Sequence, residues 1–165
     1  MLVYDSGGPR TYTDCAKAQY VIMADLNNSV NIWWKDSNSS NETPEHPINE
    51  WTKTNVTIEN IFPSTSIGYV DYLVYQGSDG FIRGLNVSWA TENTTLFTLD
   101  GGAPDMFKTP TPGVPGTQFA ITALAEEGGN ASLAIFFQVE GDDMTQWSRN
   151  LGGGAWTSVP LPIGS

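Results

Sequence analysis

The chain has 165 residues, 15% of them charged and 12% aromatic, and 7 Lys and Arg against 18 Asp and Glu give a formal charge of −11. That length holds one domain with a real core and excludes two comfortable ones. The acidic excess repels phosphate backbones and anionic membranes and argues against nucleic acid as a partner; because the acids scatter through turns, they read as a solubilising surface.

Along the chain, apolar runs are short, aromatic or β-branched, and punctuated by Gly, Asn, Asp and Pro, which is the grammar of strands. They predict strands over 19–26, 30–36, 50–58, 69–76, 81–87, 119–126, 133–139 and 144–149. Turns rich in Gly, Asn and Asp join them, at Asn27-Asn28-Ser29, Gly77-Ser78-Asp79-Gly80, Gly128-Gly129-Asn130 and Gly141-Asp142-Asp143. No segment keeps a 3.6-residue apolar period over three turns, so the expected fold class is all-β. The polar segment 37–47, with Pro44 and Pro47, reads as an exposed, mobile loop. Segment 101–116 carries Pro104, Pro110, Pro112 and Pro115 and reads as an extended connector with little ladder hydrogen bonding. No stretch approaches eighteen consecutive apolar residues, so no membrane insertion is expected.

Three runs share one shape, an apolar stretch ending in two large residues and a polar one: Val30 to Lys35, Asp71 to Gln76 and Leu133 to Gln138. Each leads through a turn to a second strand, defining repeat units at about 19–62, 66–100 and 117–163 within a single domain, 1–165. Residues apolar in succession imply strands covered on both faces. Stacked propeller blades provide that, so a β-propeller-like arrangement is expected, either partial or closed by oligomerisation, with a β-sandwich as the alternative. Open edges make self-association an expectation.

Seven Asn-x-Ser/Thr triplets begin at Asn27, Asn38, Asn41, Asn55, Asn86, Asn93 and Asn130. Chance would give roughly two, so the set points to N-glycosylation in a secretory pathway and an extracellular location. The start, Met1-Leu2-Val3-Tyr4-Asp5, lacks a leader pattern, so secretion implies a leader removed or lying upstream. Cys15 is the only cysteine, which rules out an intrachain disulfide.

The closing unit runs Ser132 to Gln138, then Gly141-Asp142-Asp143-Met144-Thr145-Gln146-Trp147, then Gly153-Gly154-Ala155-Trp156-Thr157. It resembles a blade repeat of the fungal fucose-specific lectins, six-bladed β-propellers with sugar sites between blades. The resemblance implies an Arg on the apolar strand, a Glu on the next, and aromatics from the neighbouring blade. Asn31, Tyr72 and Ala134 stand at the Arg place and Glu50, Gly84 and Gln146 at the Glu place, so no unit keeps both. The implied sugar-binding set is Glu50, Asn31, Trp51, Tyr72, Gln146, Trp147 and Trp156, with glycans or glycoproteins as partners.

Catalytic chemistry has few residues to draw on. His46, the single histidine, sits between Glu45 and Pro47 in the polar insert, away from any expected scaffold, so a histidine-based triad is not expected. No metal or cofactor motif occurs; Asp79 with Asp142 and Asp143 lacks the spacing of a calcium loop. Arg83 and Arg149 read as solvated strand-edge cations. The sequence-level expectation is a non-catalytic, lectin-like secreted glycoprotein. A structural or self-assembling glycoprotein is the first alternative, and a glycoside-acting enzyme using two carboxylates the second.

Overall fold

The computed structural model describes residues 10–13 (backbone), 18–125, 131–141 and 144–162. Among them the chain is all-β, with thirteen strands, two short 3-10 turns and no α-helix. The strands form three antiparallel sheets, none of them closed. The first holds β1 (Arg10–Thr13), β2 (Gln19–Ala24), β3 (Val30–Lys35) and β4 (Thr52–Ile58) in that order. The second holds β5 (Ile67–Val70), β6 (Tyr72–Gln76), β7 (Phe81–Ser88) and β8 (Thr95–Leu96), with β9 (Met106–Pro112) also paired to β7. The third holds β10 (Ala120–Ala125), β11 (Ala131–Gln138), β12 (Met144–Asn150) and β13 (Thr157–Pro160).

The sheets stack so that the middle one is covered on both faces. Alternate side chains of a strand point to opposite faces. Leu73 and Tyr75 of β6, with Ile67, Leu85 and Val87, join Tyr20, Ile22, Val30, Ile32 and Trp34 of the first sheet in one core. Tyr72 and Val74, with Ile82 and Phe107, join Leu133, Ile135 and Phe137 of the third sheet in a second core. Burial on both sides explains why β6 is apolar from Tyr72 to Tyr75, and all five of its residues, Gln76 included, are buried. The outer sheets are covered less fully, since Trp33 and Phe136, on the faces away from the middle sheet, are only half-buried.

Several expectations are corrected. The run 69–76 is two strands, because Asp71 takes a left-handed φ of 54° and folds β5 back on β6, pairing Val70 with Tyr72. Asp tolerates that conformation better than most non-glycine residues, and the unbroken apolar pattern conceals the turn. Segment 101–116 does form ladder bonds: β9 pairs Gly84 with Phe107 and Arg83 with Lys108, and the register slips between Arg83 and Phe81, opposite Pro110 and Pro112. Proline is accommodated there because β9 is an edge strand with a bulge. Segment 37–47 is exposed over most of its length, but it is anchored: Asp36 pairs with Ile48, and His46 bonds to Asp36 and Glu92. The strand expected from residue 50 starts at Thr52, leaving Glu50 and Trp51 outside the ladder. Strands β1, β8 and β13 are additional to those read from sequence.

Candidate functional site

A polar cleft of about 320 Å³ lies where the chain leaving the first sheet crosses the β6–β7 turn of the second. Its lining is Glu59, Asn60, Tyr75, Ser78, Asp79 and Arg83. The crossing is fixed by backbone bonds: Ser78 N donates to Asn60 O at 2.8 Å, and Phe62 N to Gln76 O at 2.8 Å. Asn60 adopts a φ of 58° to make the bend. The turn is held from within by Gln76, which is fully buried. Its Nε2 donates to the carbonyls of Gly80 (2.9 Å), Val114 (3.1 Å) and Gly113 (3.3 Å), and its Oε1 accepts from Gly116 N (3.1 Å). Every hydrogen-bonding group of that amide therefore has work inside the protein.

Charge in the cleft is nearly balanced. Arg83 Nη2 lies 2.6 Å from Asp79 Oδ2, and Lys108 Nζ lies 3.3 Å from the same oxygen. The Lys108 ammonium also rests 3.5 Å above the Phe81 ring. Partial burial opposes ionisation of Asp79, but the Arg83 and Lys108 hydrogen bonds outweigh it and hold the carboxyl below its usual range. The Tyr75 hydroxyl is pushed up, chiefly by burial, with Arg83 opposing and Asp79 adding to the shift. The cleft thus presents fixed donors and acceptors of both signs beside an aromatic wall.

The seven residues expected to hold sugar are dispersed. Asn31 is buried and consumed internally: its Nδ2 donates to Asp25 Oδ2 (2.9 Å), and its Oδ1 accepts from Thr57 Oγ1 (3.1 Å). Glu50 is exposed and Trp51 is 44% exposed, with Lys35 Nζ 5.8 Å from the Trp51 ring centroid. Asn31 faces Thr57, whereas Asn49, beside Glu50, bonds to Asp36. Glu50 and Asn31 are therefore about five residues apart along β3, roughly 17 Å. Tyr72 is buried with its hydroxyl donating to Asp105 at 3.2–3.3 Å. The space over Gly84 is filled by the Phe107 ring. Gln146 Nε2 bonds to Ser148 Oγ at 2.9 Å. Trp147 stacks on Phe137, and Trp156 meets Phe107 edge-on, with the Arg149 guanidinium 5.5 Å from the Trp156 centroid. Arg149 and Trp156 thus belong to the packing between the second and third sheets.

Of the acceptor asparagines, Asn27, Asn38, Asn41, Asn55 and Asn93 are exposed and Asn86 is half-buried. The amide nitrogens of Asn41 and Asn86 donate to Asp36 and Asp105, both at 2.9 Å. Asn130, Cys15, Asp142 and Asp143 lie outside the described residues. Among the described residues, no group of three His, Cys, Asp or Glu side chains is placed to hold a metal, and no helix is long and apolar enough to cross a membrane.

Sequence reasoning singled out Arg83 and Asp79 separately and missed the cleft. Its walls come from two sheets, and only the fold brings Glu59 and Asn60 to the turn. The available signal was the Asp79–Arg83 spacing across a Gly-flanked turn. No family model, curated protein or solved structure matches the chain, so the likeness to the fungal lectins rests on the residues quoted for it.

Proposed function

We propose that the protein is a secreted, N-glycosylated, non-catalytic carbohydrate-binding module, its sheets standing as successive blades of a partial propeller, and that sugar occupies the cleft between the first two. The observation carrying this reading is the cleft lining: Arg83 and Asn60 as donors, Glu59, Asp79 and Ser78 as acceptors, and Tyr75 as an apolar wall. A sugar offers that surface its counterpart, hydroxyls that donate and accept around C–H faces. The volume lies at the small end of ligand pockets, suited to one or two rings. Binding is favoured over hydrolysis because Arg83 and Lys108 engage Asp79, which leaves Glu59 as the one carboxylate of the lining outside that ion pair where a glycosidase needs a working pair. Five exposed acceptor asparagines support the secretory reading. A glycan-array screen of the natively glycosylated protein tests it. Retention of one sugar class supports binding, and a flat array from folded protein overturns it.

A second reading, a self-assembling structural glycoprotein, is favoured by the third sheet. Its Leu124, Met144 and Val159 are 41%, 37% and 57% exposed. Concentration-dependent sedimentation, abolished by Val159→Lys, would be its signature.

A further inference from the structure

We propose that Asp36, His46 and Glu92 form a proton-dependent latch, which docks the insert 37–47 onto the turn Thr91–Asn93 while the imidazole is charged and releases that turn when it is neutral.

The geometry suits the charged ring. His46 Nε2 lies 3.0 Å from Asp36 Oδ2, and Nδ1 lies 2.9 Å from Glu92 Oε2. Only imidazolium has N–H on both nitrogens; a neutral ring donates to one carboxylate and turns a lone pair on the other. The three residues come from three places: Asp36 directly follows β3, His46 closes the insert, and Glu92 sits in the 3-10 turn Thr91–Asn93 after β7. The ring also packs on buried Trp34, centroids 4.5 Å apart.

The two carboxylates differ. The Asp36 side chain is 3% exposed and also accepts from Asn38 N (2.7 Å) and Asn41 Nδ2 (2.9 Å). Glu92 is 37% exposed, with Thr91 Oγ1 donating at 2.6 Å. Water can take over from the histidine at Glu92 but not at Asp36. The neutral ring therefore keeps its proton toward Asp36, and the contact to Glu92 is the one that breaks.

The other charged groups nearby do not offset this pair. Glu42 and Glu45 are exposed on the insert. Lys35 reaches toward Trp51, and Lys53, opposite Trp33, is on the sheet face away from Trp34. From β2 the Tyr20 hydroxyl accepts from Thr91 N (2.8 Å), a second, uncharged tether on the turn. Partial burial opposes protonation of His46, but bonds to Asp36 and Glu92 outweigh it and raise its pKa above the usual value. A group whose pKa rises on folding stabilises the fold fully below its unfolded pKa of about 6.5 and loses that contribution as pH climbs through the folded value. The latch is thus closed in mild acid and opens on the alkaline side.

Because His46 is the chain's single histidine, its ring nitrogens give one unambiguous NMR titration. The latch predicts both nitrogens protonated well past the usual midpoint, with the midpoint lowered in Glu92→Gln. It also predicts that Asn93 and Thr94 amides exchange severalfold faster above the midpoint, after correction for intrinsic rates. Glu92→Gln replaces a half-exposed carboxylate and leaves Asp36 in place, so the variant is expected to fold. A wild-type midpoint at or below the ordinary value, or amide protection that does not change across it, would overturn the proposal.

Discussion

Arg83 lies so close over Gly77 that a Cβ on Gly77 would stand 2.9 Å from Arg83 Nε, and 2.8 Å from the Asp79 carboxylate that Arg83 holds. Gly77 does not occupy the left-handed region, so alanine fits its backbone and the clash falls on the two site side chains. Gly77→Ala is therefore expected to move Arg83 and Asp79 and weaken sugar binding while the thermal midpoint stays within a few degrees. A binding isotherm beside a melting curve checks both halves.

The buried amide of Gln76 ties the β6–β7 turn to residues 113–116. Gln76→Leu leaves the carbonyls of Gly80, Gly113 and Val114 without that donor, and buried unsatisfied groups cost about 1–3 kcal/mol each. A loss of about 3 kcal/mol in urea unfolding is expected, allowing for partial relaxation.

Gly84 and Phe107 fit as a pair, since the ring occupies the space a Cβ would need. Gly84→Ala alone is expected to destabilise by about 1–3 kcal/mol and Phe107→Ala by about 3–5 kcal/mol. The double variant is expected to lose clearly less than the sum, because the two share one volume. Strict additivity in urea melts would show that Phe107 does not fill the Gly84 site.

On the acid side, stability should follow Asp36. Its burial opposes ionisation, but the Asn41, Asn38 and His46 hydrogen bonds outweigh it and bring the pKa to about 2. A carboxyl depressed on folding contributes above its unfolded pKa, near 3.9, and loses that contribution as pH falls through the folded value. Thermal midpoints should therefore drop between about pH 4 and pH 2. Asp36→Asn should start lower at neutral pH and show a shallower drop.

The strand grammar was legible because β3, β6, β7 and β11 pack cores on which apolar spacing reports directly. Asp71 was not, since one left-handed residue reverses the chain without interrupting the apolar pattern. Strand β9 was hidden by Pro110 and Pro112, which an edge position tolerates and a central one does not. His46 looked isolated because its partners lie 10 and 46 residues away and meet only when the first two sheets pack. Glu50 and Asn31 looked like one site because sequence comparison aligned them, yet pairing of β3 with β4 puts them at opposite ends. The cleft needed the same information: Glu59 and Arg83 line one space only through the crossing held by Ser78 and Asn60.

The central claim is that sugar binds between the first two sheets, and the most direct measurement is a glycan array run in parallel on wild type, Arg83→Met, Glu59→Gln and Trp51→Ala. Wild type and Trp51→Ala are expected to retain one sugar class, and both cleft variants to lose it. Loss in Trp51→Ala with binding kept in the cleft variants, or no binding by folded wild type, would contradict it.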